Sequence, residues 1–162
     1  MGIYKVIGLM SGTSLDGVDM AYCVFDKNNG VWTYEIVKSI TVDYNQLWRN
    51  KLSEAHKLSA EKLLKLDFEF GHYLGKLTSA FIKRQHLQPN LVASHGHTVF
   101  HNPKQGYTLQ IGQGAALASH FDCPLAYDFR SQDITLGGQG APLVPIGDQL
   151  LFSEYDACRF QS

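Results

Sequence analysis

Apolar residues run almost without a break from Tyr4 to Met10, the pattern of a strand with both faces covered. A second apolar run, VDMAYCVF from Val18 to Phe25, predicts a second strand, and DKNNG at 26–30 supplies hairpin turn residues at its end. In VWTYEIVKSI the pattern alternates: Trp32, Tyr34 and Ile36 fall on one face, Thr33, Glu35 and Val37 on the other. A period of two predicts a third strand, at an edge. The chain thus opens with three consecutive antiparallel strands.

The period then lengthens. Tyr44 to His56 reads as a short helix. A longer one is predicted from Ser59 to about Gln85, where Leu63, Leu66, Phe70, Leu74, Leu77 and Phe81 recur at helical steps. Ser59 suits the N-cap, Glu61 the first turn, and Lys83 and Arg84 the last. Gly71 and Gly75, one turn apart, imply close approach of a neighbour. Past QPN, LVASHG (91–96) reads as a buried strand, and TVFHNP and YTLQIG as short strands joined at NPKQG. GAALASHF reads as a short helix, PLAYDF (124–129) as another buried strand, and LGGQGAP (136–142) as a loop. Three strands, helices, strand, helix, strand is the order of an α/β domain of ribonuclease-H-like layout. In that layout the first hairpin faces the ends of the later strands, where SHGHT, DFRSQD and GGQG gather the polar residues.

Composition narrows the classes of function. A chain of 162 residues, 44% hydrophobic and 12% aromatic, suffices for one domain with a proper core. Fourteen basic against fifteen acidic residues leave a net charge of -1, without the footprint of a nucleic-acid binder. No stretch is long enough to span a bilayer, and GLMSGTS interrupts the N-terminus before an export signal forms. Cys23, Cys123 and Cys158 show no CxxC spacing and suit reduced thiols, so a cytoplasmic location is expected.

Chemistry concentrates first in IGLMSGTSLDGVD (7–19). A strand–turn–strand carrying SGTS offers backbone N–H groups in a curve nearly free of side chains, a nest for phosphate oxygens with hydroxyls adding donors. Asp16 and Asp19 would repel phosphate unless a divalent cation lay between, which nucleotide chemistry supplies as Mg²⁺. A hairpin that merely needs glycines remains the competing reading. A nucleophilic serine fits poorly, since the glycines are wrongly spaced for GxSxG and a strand comes next. A Walker loop is excluded because no Lys comes after the second Gly.

GLMSGTSLDGVD, SHGHTVFH, TLQIG, DFRSQD and GGQGAPLVP occur in an order and at spacings that resemble the anhydro-N-acetylmuramic acid kinases, over the chain up to about Leu151. The resemblance implies one ribonuclease-H-like lobe of an actin-like sugar kinase. It also implies ATP-dependent opening of a 1,6-anhydro ring with phosphorylation at O6, in cell-wall recycling. By resemblance, Gly12, Thr13, Ser14, Leu15, Asp16, Gly17, Val18 and Asp19 form the ATP phosphate loop; the carboxylate chemistry above adds the expectation that Asp16 and Asp19 hold Mg²⁺ through the nucleotide. The family's catalytic base and adenosine pocket lie in a second half. Residues 1–162 are therefore expected to be a single N-terminal lobe, inactive alone, whose uncovered apolar surface favours self-association. Two positions depart from the family pattern: His97 stands where Gln is usual, and PIGD (145–148) replaces a PAFH-like ending. The closing CRFQS does not resume the apolar strand expected there.

His95, His97 and Thr98 are expected to face the sugar, with a structural role for the histidines as the alternative. A metal set of His95, His97 and His101 is disfavoured, because strand geometry puts His97 and His101 about 13 Å apart and nothing completes the ligands. Arg130 and Asp133 come after a strand, where open α/β sheets gather ligand residues. Arg130 suits a lactyl carboxylate through a bidentate contact, the alternative being an Arg130–Asp133 pair that braces the loop. Asp128 can cap the strand end, and the GGQGAP glycines permit close approach to substrate.

Overall fold

The computed structural model describes residues 2–141 and 143–152, so Cys158 and CRFQS lie outside the described residues. The opening strands are β1 (Gly2–Ser11), β2 (Gly17–Asn28) and β3 (Val31–Asp43). Asn29 and Gly30, at φ of 50° and 86°, make the primed turn that joins right-twisted strands. β1 differs from its predicted burial. Ile7 and Leu9 are buried, whereas Tyr4 and Met10, facing the opposite way, are 45% and 43% exposed. Among the described residues, helices cover one face of this sheet and the other is largely open.

The alternation read in β3 also breaks part-way. A bulge lets Ile36 pair with Cys23 and Lys38 with Tyr22, leaving Val37 as the extra residue. Trp32, Tyr34 and Ile36 therefore continue on the open face as Ser39 and Thr41. As predicted, β3 is an edge strand.

The first helix is shorter than predicted. α1 spans Gln46–Ser53, capped by Asn45, whose side chain accepts the Trp48 N–H at 3.0 Å, and a 3₁₀ turn comes next at Ala55–Lys57. α2 (Ala60–Arg84) lays Leu66, Phe70, Leu74 and Phe81 onto the sheet. Ser59 occupies its N-cap position without a side-chain cap bond. Gly71 and Gly75 seat α3 (Gly114–Ala118) and the residues just after it. A Cβ at Gly71 would meet Gln113 O at 2.5 Å, and one at Gly75 would run into the His120 ring.

LVASHG and TVFHNP are one strand, β4 (Leu91–Asn102), and β5 is Tyr107–Ile111. Gly96, at φ 70°, carries the irregularity that lets the strand continue through what the sequence reads as a break. The sheet order is β3-β2-β1-β4-β5, with β1 and β4 parallel. The outer edge of β4 is shared: β6 (Leu125–Tyr127) pairs in parallel with Val92–Ser94, and β5 pairs antiparallel with the later half. β6 is only partly buried, because the open face of the sheet continues onto it. DFRSQD, predicted as a strand end and loop, forms α4 (Phe129–Thr135). PIGD lies inside a further helix, α5 (Leu143–Leu151), which the sequence reading missed. α5 crosses one end of the open face, leaving a groove of about 450 Å³ lined by Tyr4, Phe25, Trp32, Leu91, Ile146 and Leu150. No helix among the described residues is long and apolar enough to cross a membrane.

Candidate functional site

The turn between β1 and β2 starts at Gly12. Leu15 N–H donates to Gly12 C=O at 3.3 Å, closing Thr13 and Ser14 into a turn, and Leu15 then takes a left-handed φ of 61°. A left-handed residue directly after a turn gives the backbone sense from which anion nests are built. The strain sits on Leu15, whereas the sequence pointed to the glycines. Gly17 serves a different purpose: a Cβ there would collide with the Val42 carbonyl of β3. Thr13, Ser14, Asp16 and Asp19 are exposed and Val18 is in the core. Asp19 Oδ1 accepts the Thr41 hydroxyl at 2.6 Å, while the Asp16 carboxylate has no partner among the described residues. Hydroxyls and carboxylates are all-oxygen donors. They suit a Mg²⁺ ion that takes one or two carboxylates and otherwise phosphate oxygens and water. Among the described residues no group of three His, Cys, Asp or Glu side chains forms a protein-only metal cage.

Behind the turn lies a buried polar chain. Tyr44 Oη–H donates to Ser11 Oγ at 2.6 Å, and Ser11 Oγ lies 3.0 Å from His97 Nδ1. Ser11 pairs with His97 in the sheet register, so both project onto the helix-covered face. Burial lowers the His97 pKa below the ordinary histidine range, helped by nearby His95 and opposed by a hydrogen bond to the Ser11 backbone. Burial pushes the Tyr44 phenol well above its usual range. A groove of about 290 Å³ opens here, lined by Thr13, Leu15, Ser53, His56, His97 and Thr98.

His95 points the other way. Arg130 Nε donates to His95 Nε2 at 2.9 Å, and Arg130 Nη1 donates to Gly140 C=O at 2.9 Å. Burial depresses the His95 pKa, a hydrogen bond to Gly96 C=O opposes that, and the Arg130 charge adds to it. Asp133 accepts the Gly140 N–H at 2.7 Å, and its carbonyl accepts Gly138 N–H at 2.8 Å. Arg130 and Asp133 thus each hold the glycine loop through its backbone. Among the described residues they form no ion pair with each other, so the alternative of a bracing Arg130–Asp133 pair is met only in that both residues brace the loop separately. Among the described residues Asp128 caps no backbone N–H. It takes a left-handed φ of 57° at the start of α4 and accepts the Ser131 hydroxyl at 2.5 Å. On the open face, a second groove of about 690 Å³ runs over Gly8, Ala21 and Ala93 to Asp19, Thr41 and Phe129.

The residues expected to share one sugar face are therefore divided. His97 and Thr98 line the groove beside Thr13, while His95, Arg130 and Asp133 gather at α4. His101 is separate again, with Nδ1 3.1 Å from the Thr108 hydroxyl.

The five motifs occupy the turn, the β4 bulge, β5, α4 and the glycine loop, and comparison with known proteins covers them all. A family model described as anhydro-N-acetylmuramic acid kinase matches residues 4–160. The chain belongs to this family. An anhydro-N-acetylmuramic acid kinase of Brucella canis is 38% identical over 87% of this chain and 40% of its own length. One from Photobacterium profundum is 36% identical over 98% of this chain and 44% of its own. One from Pseudoalteromonas translucida is 34% identical over 95% and 42%. The chain thus spans about two fifths of the length of these relatives.

Two residues that sequence reasoning passed over help shape this region. Tyr44 reads as the start of a helix but precedes it and reaches back to Ser11. Asp67 reads as a polar position of α2, yet its Oδ1 accepts the Gly112 N–H at 2.7 Å and ties the helix to the end of β5. No local pattern marks either one, since each partner is distant in sequence.

Proposed function

We propose that this chain is the N-terminal lobe of an ATP-dependent anhydro-N-acetylmuramic acid kinase that opens the 1,6-anhydro ring and phosphorylates O6. The family match over residues 4–160 carries the reading. The exposed turn supports it, with its left-handed Leu15, two hydroxyls and an Asp16 carboxylate that has no partner among the described residues. In this reading the N–H groups and hydroxyls of Gly12–Ser14 receive phosphate oxygens, and Asp16 and Asp19 orient the magnesium. The bound Mg²⁺ neutralises charge on the phosphate oxygens. The residues assigned to the sugar stand in two groups, His97 and Thr98 beside the turn and His95, Arg130 and Asp133 at α4. Arg130 holds Gly140 and His95 already, so its remaining donors orient a sugar carboxylate on a loop it has itself fixed. The base that activates water, and the adenosine pocket, come from the second lobe. Phosphoryl transfer depends on positioning and charge stabilisation, so one lobe alone lacks most of the machinery. The cytoplasmic location belongs to the same reading. So does self-association of the isolated lobe through the open apolar face.

The test compares the 162-residue chain with the same chain joined to the remaining portion of a curated relative. Both receive ATP, Mg²⁺ and anhydro-N-acetylmuramic acid, with ADP release and sugar phosphate measured. Turnover is expected only in the joined protein, falling roughly tenfold or more with Asp16→Asn. Robust turnover by the short chain would overturn the one-lobe reading. A folded joined protein that hydrolyses ATP only with another sugar would overturn the substrate.

A further inference from the structure

We propose that Tyr44 is a positioning residue for the phosphate-binding turn, holding it through Ser11 and Asp16, and that His97 completes the hold in a single tautomer. The proposal rests on the nucleotide reading above for its purpose, though not for its geometry. Tyr44 grips both ends of the turn. Its main-chain N–H donates to Asp16 C=O at 3.0 Å, and its hydroxyl donates to Ser11 Oγ at 2.6 Å, on the last residue of β1. The phenol ring is wedged among Phe70 and Tyr73, with centroids 6.3 and 6.1 Å away, and Trp48 closes the same cluster against Phe70 and Tyr73. Tyr44, Ser11 and His97 are only 3%, 3% and 4% exposed. The core therefore sets where Tyr44 stands, and the turn inherits that position.

Tyr44 donates its hydroxyl proton to Ser11, which leaves the Ser11 proton available to His97 Nδ1, 3.0 Å away. In the proposed direction that nitrogen offers a lone pair, and the His97 proton lies on Nε2. The depressed His97 pKa and raised Tyr44 pKa keep each proton in place near neutral pH. A turn fixed before ligand arrives loses less freedom on binding, which favours affinity without adding a contact.

Tyr44→Phe keeps the ring, its packing and the main-chain bond to Asp16, and removes only the hydroxyl. Gln at 97 can still accept from Ser11, whereas Leu cannot. The experiment is amide hydrogen exchange by NMR on the 162-residue chain, with Tyr73→Phe as control for loss of a neighbouring phenol. Exchange at Gly12–Gly17 is expected to speed up about five- to tenfold in Tyr44→Phe and His97→Leu, as loss of one buried hydrogen bond does to a local opening. It should stay at the wild-type rate in Tyr73→Phe and His97→Gln, with the central strands unchanged throughout. Imidazole ¹⁵N shifts should show His97 protonated at Nε2. Wild-type exchange of the turn in Tyr44→Phe, or a His97 protonated at Nδ1, overturns the proposal. MgATP titration of the same samples separates the two readings. A turn that loosens as stated but whose resonances ignore MgATP keeps the hold and sinks the nucleotide assignment. MgATP binding that Tyr44→Phe leaves unaltered, with unaltered exchange, does the reverse.

Discussion

His95 and His97 stand two positions apart on one strand, yet one reaches Arg130 at α4 and the other Ser11 beneath the turn. Both are substantially buried and both have depressed pKa values, with desolvation the leading cause for each. A histidine held neutral by the fold binds fewer protons than in the unfolded chain, so its stability contribution is complete above the unfolded pKa of about 6.5 and is lost as pH falls below it. Unfolding midpoints in urea should therefore drop between about pH 7 and pH 5.5, and His97→Gln should flatten part of that slope. Asp67 works in the opposite sense, since burial raises its pKa despite bonds from Gly112 and Gln113. A midpoint that rises on acidification from pH 7 would contradict the burial assigned to these rings.

Between elements, two glycines in helices predict opposite outcomes. A Cβ at Gly75 would enter the His120 ring and press on the Leu117 carbonyl at 2.8 Å, where α2 receives the end of α3. A Cβ at Gly147 in α5 would meet nothing within 4 Å among the described residues. Gly75→Ala should destabilise by about 1–3 kcal/mol through overpacking. Gly147→Ala should stabilise by up to about 1 kcal/mol through helix propensity. Urea denaturation reads both, and equal shifts would mean that α2 and α3 are not in close approach. At the N-terminus of α1, Asn45→Ala should cost about 1 kcal/mol by leaving the Trp48 N–H uncapped.

Among the described residues, the layers leave most of one side of the sheet uncovered, with α5 over one end. Helices α1 and α2 close one face, while the other exposes Tyr34 at 41%, Ile36 at 59% and Met10 at 43%, beside a groove of apolar residues under α5. Apolar surface of that extent favours association of the isolated chain. Light scattering should show mass rising with concentration, and Ile36→Lys on the open face should lower it. A monodisperse monomer at high concentration would remove this expectation.

The strands β1 to β3, the helix α2 and the Gly-rich turn were legible because each is written in local periodicity or local turn chemistry. The Leu66–Phe70–Leu74 spacing needs only a 3.6-residue repeat, and Asn29-Gly30 needs only its own two residues. Motif order was legible too, which is why the family could be read before the fold. Other features depend on residues far apart in the chain. The bulges at Val37 and Gly96 decide which face their neighbours occupy, and the one at Gly96 separates His95 from His97. The hold of Tyr44 on Ser11 spans 33 residues and that of Ser11 on His97 spans 86, distances over which no periodic pattern carries information. Side-chain spacing determines what an element is; only packing decides which partner a buried hydroxyl or imidazole meets, because a buried polar group must satisfy its hydrogen bonds with whatever the fold brings to it.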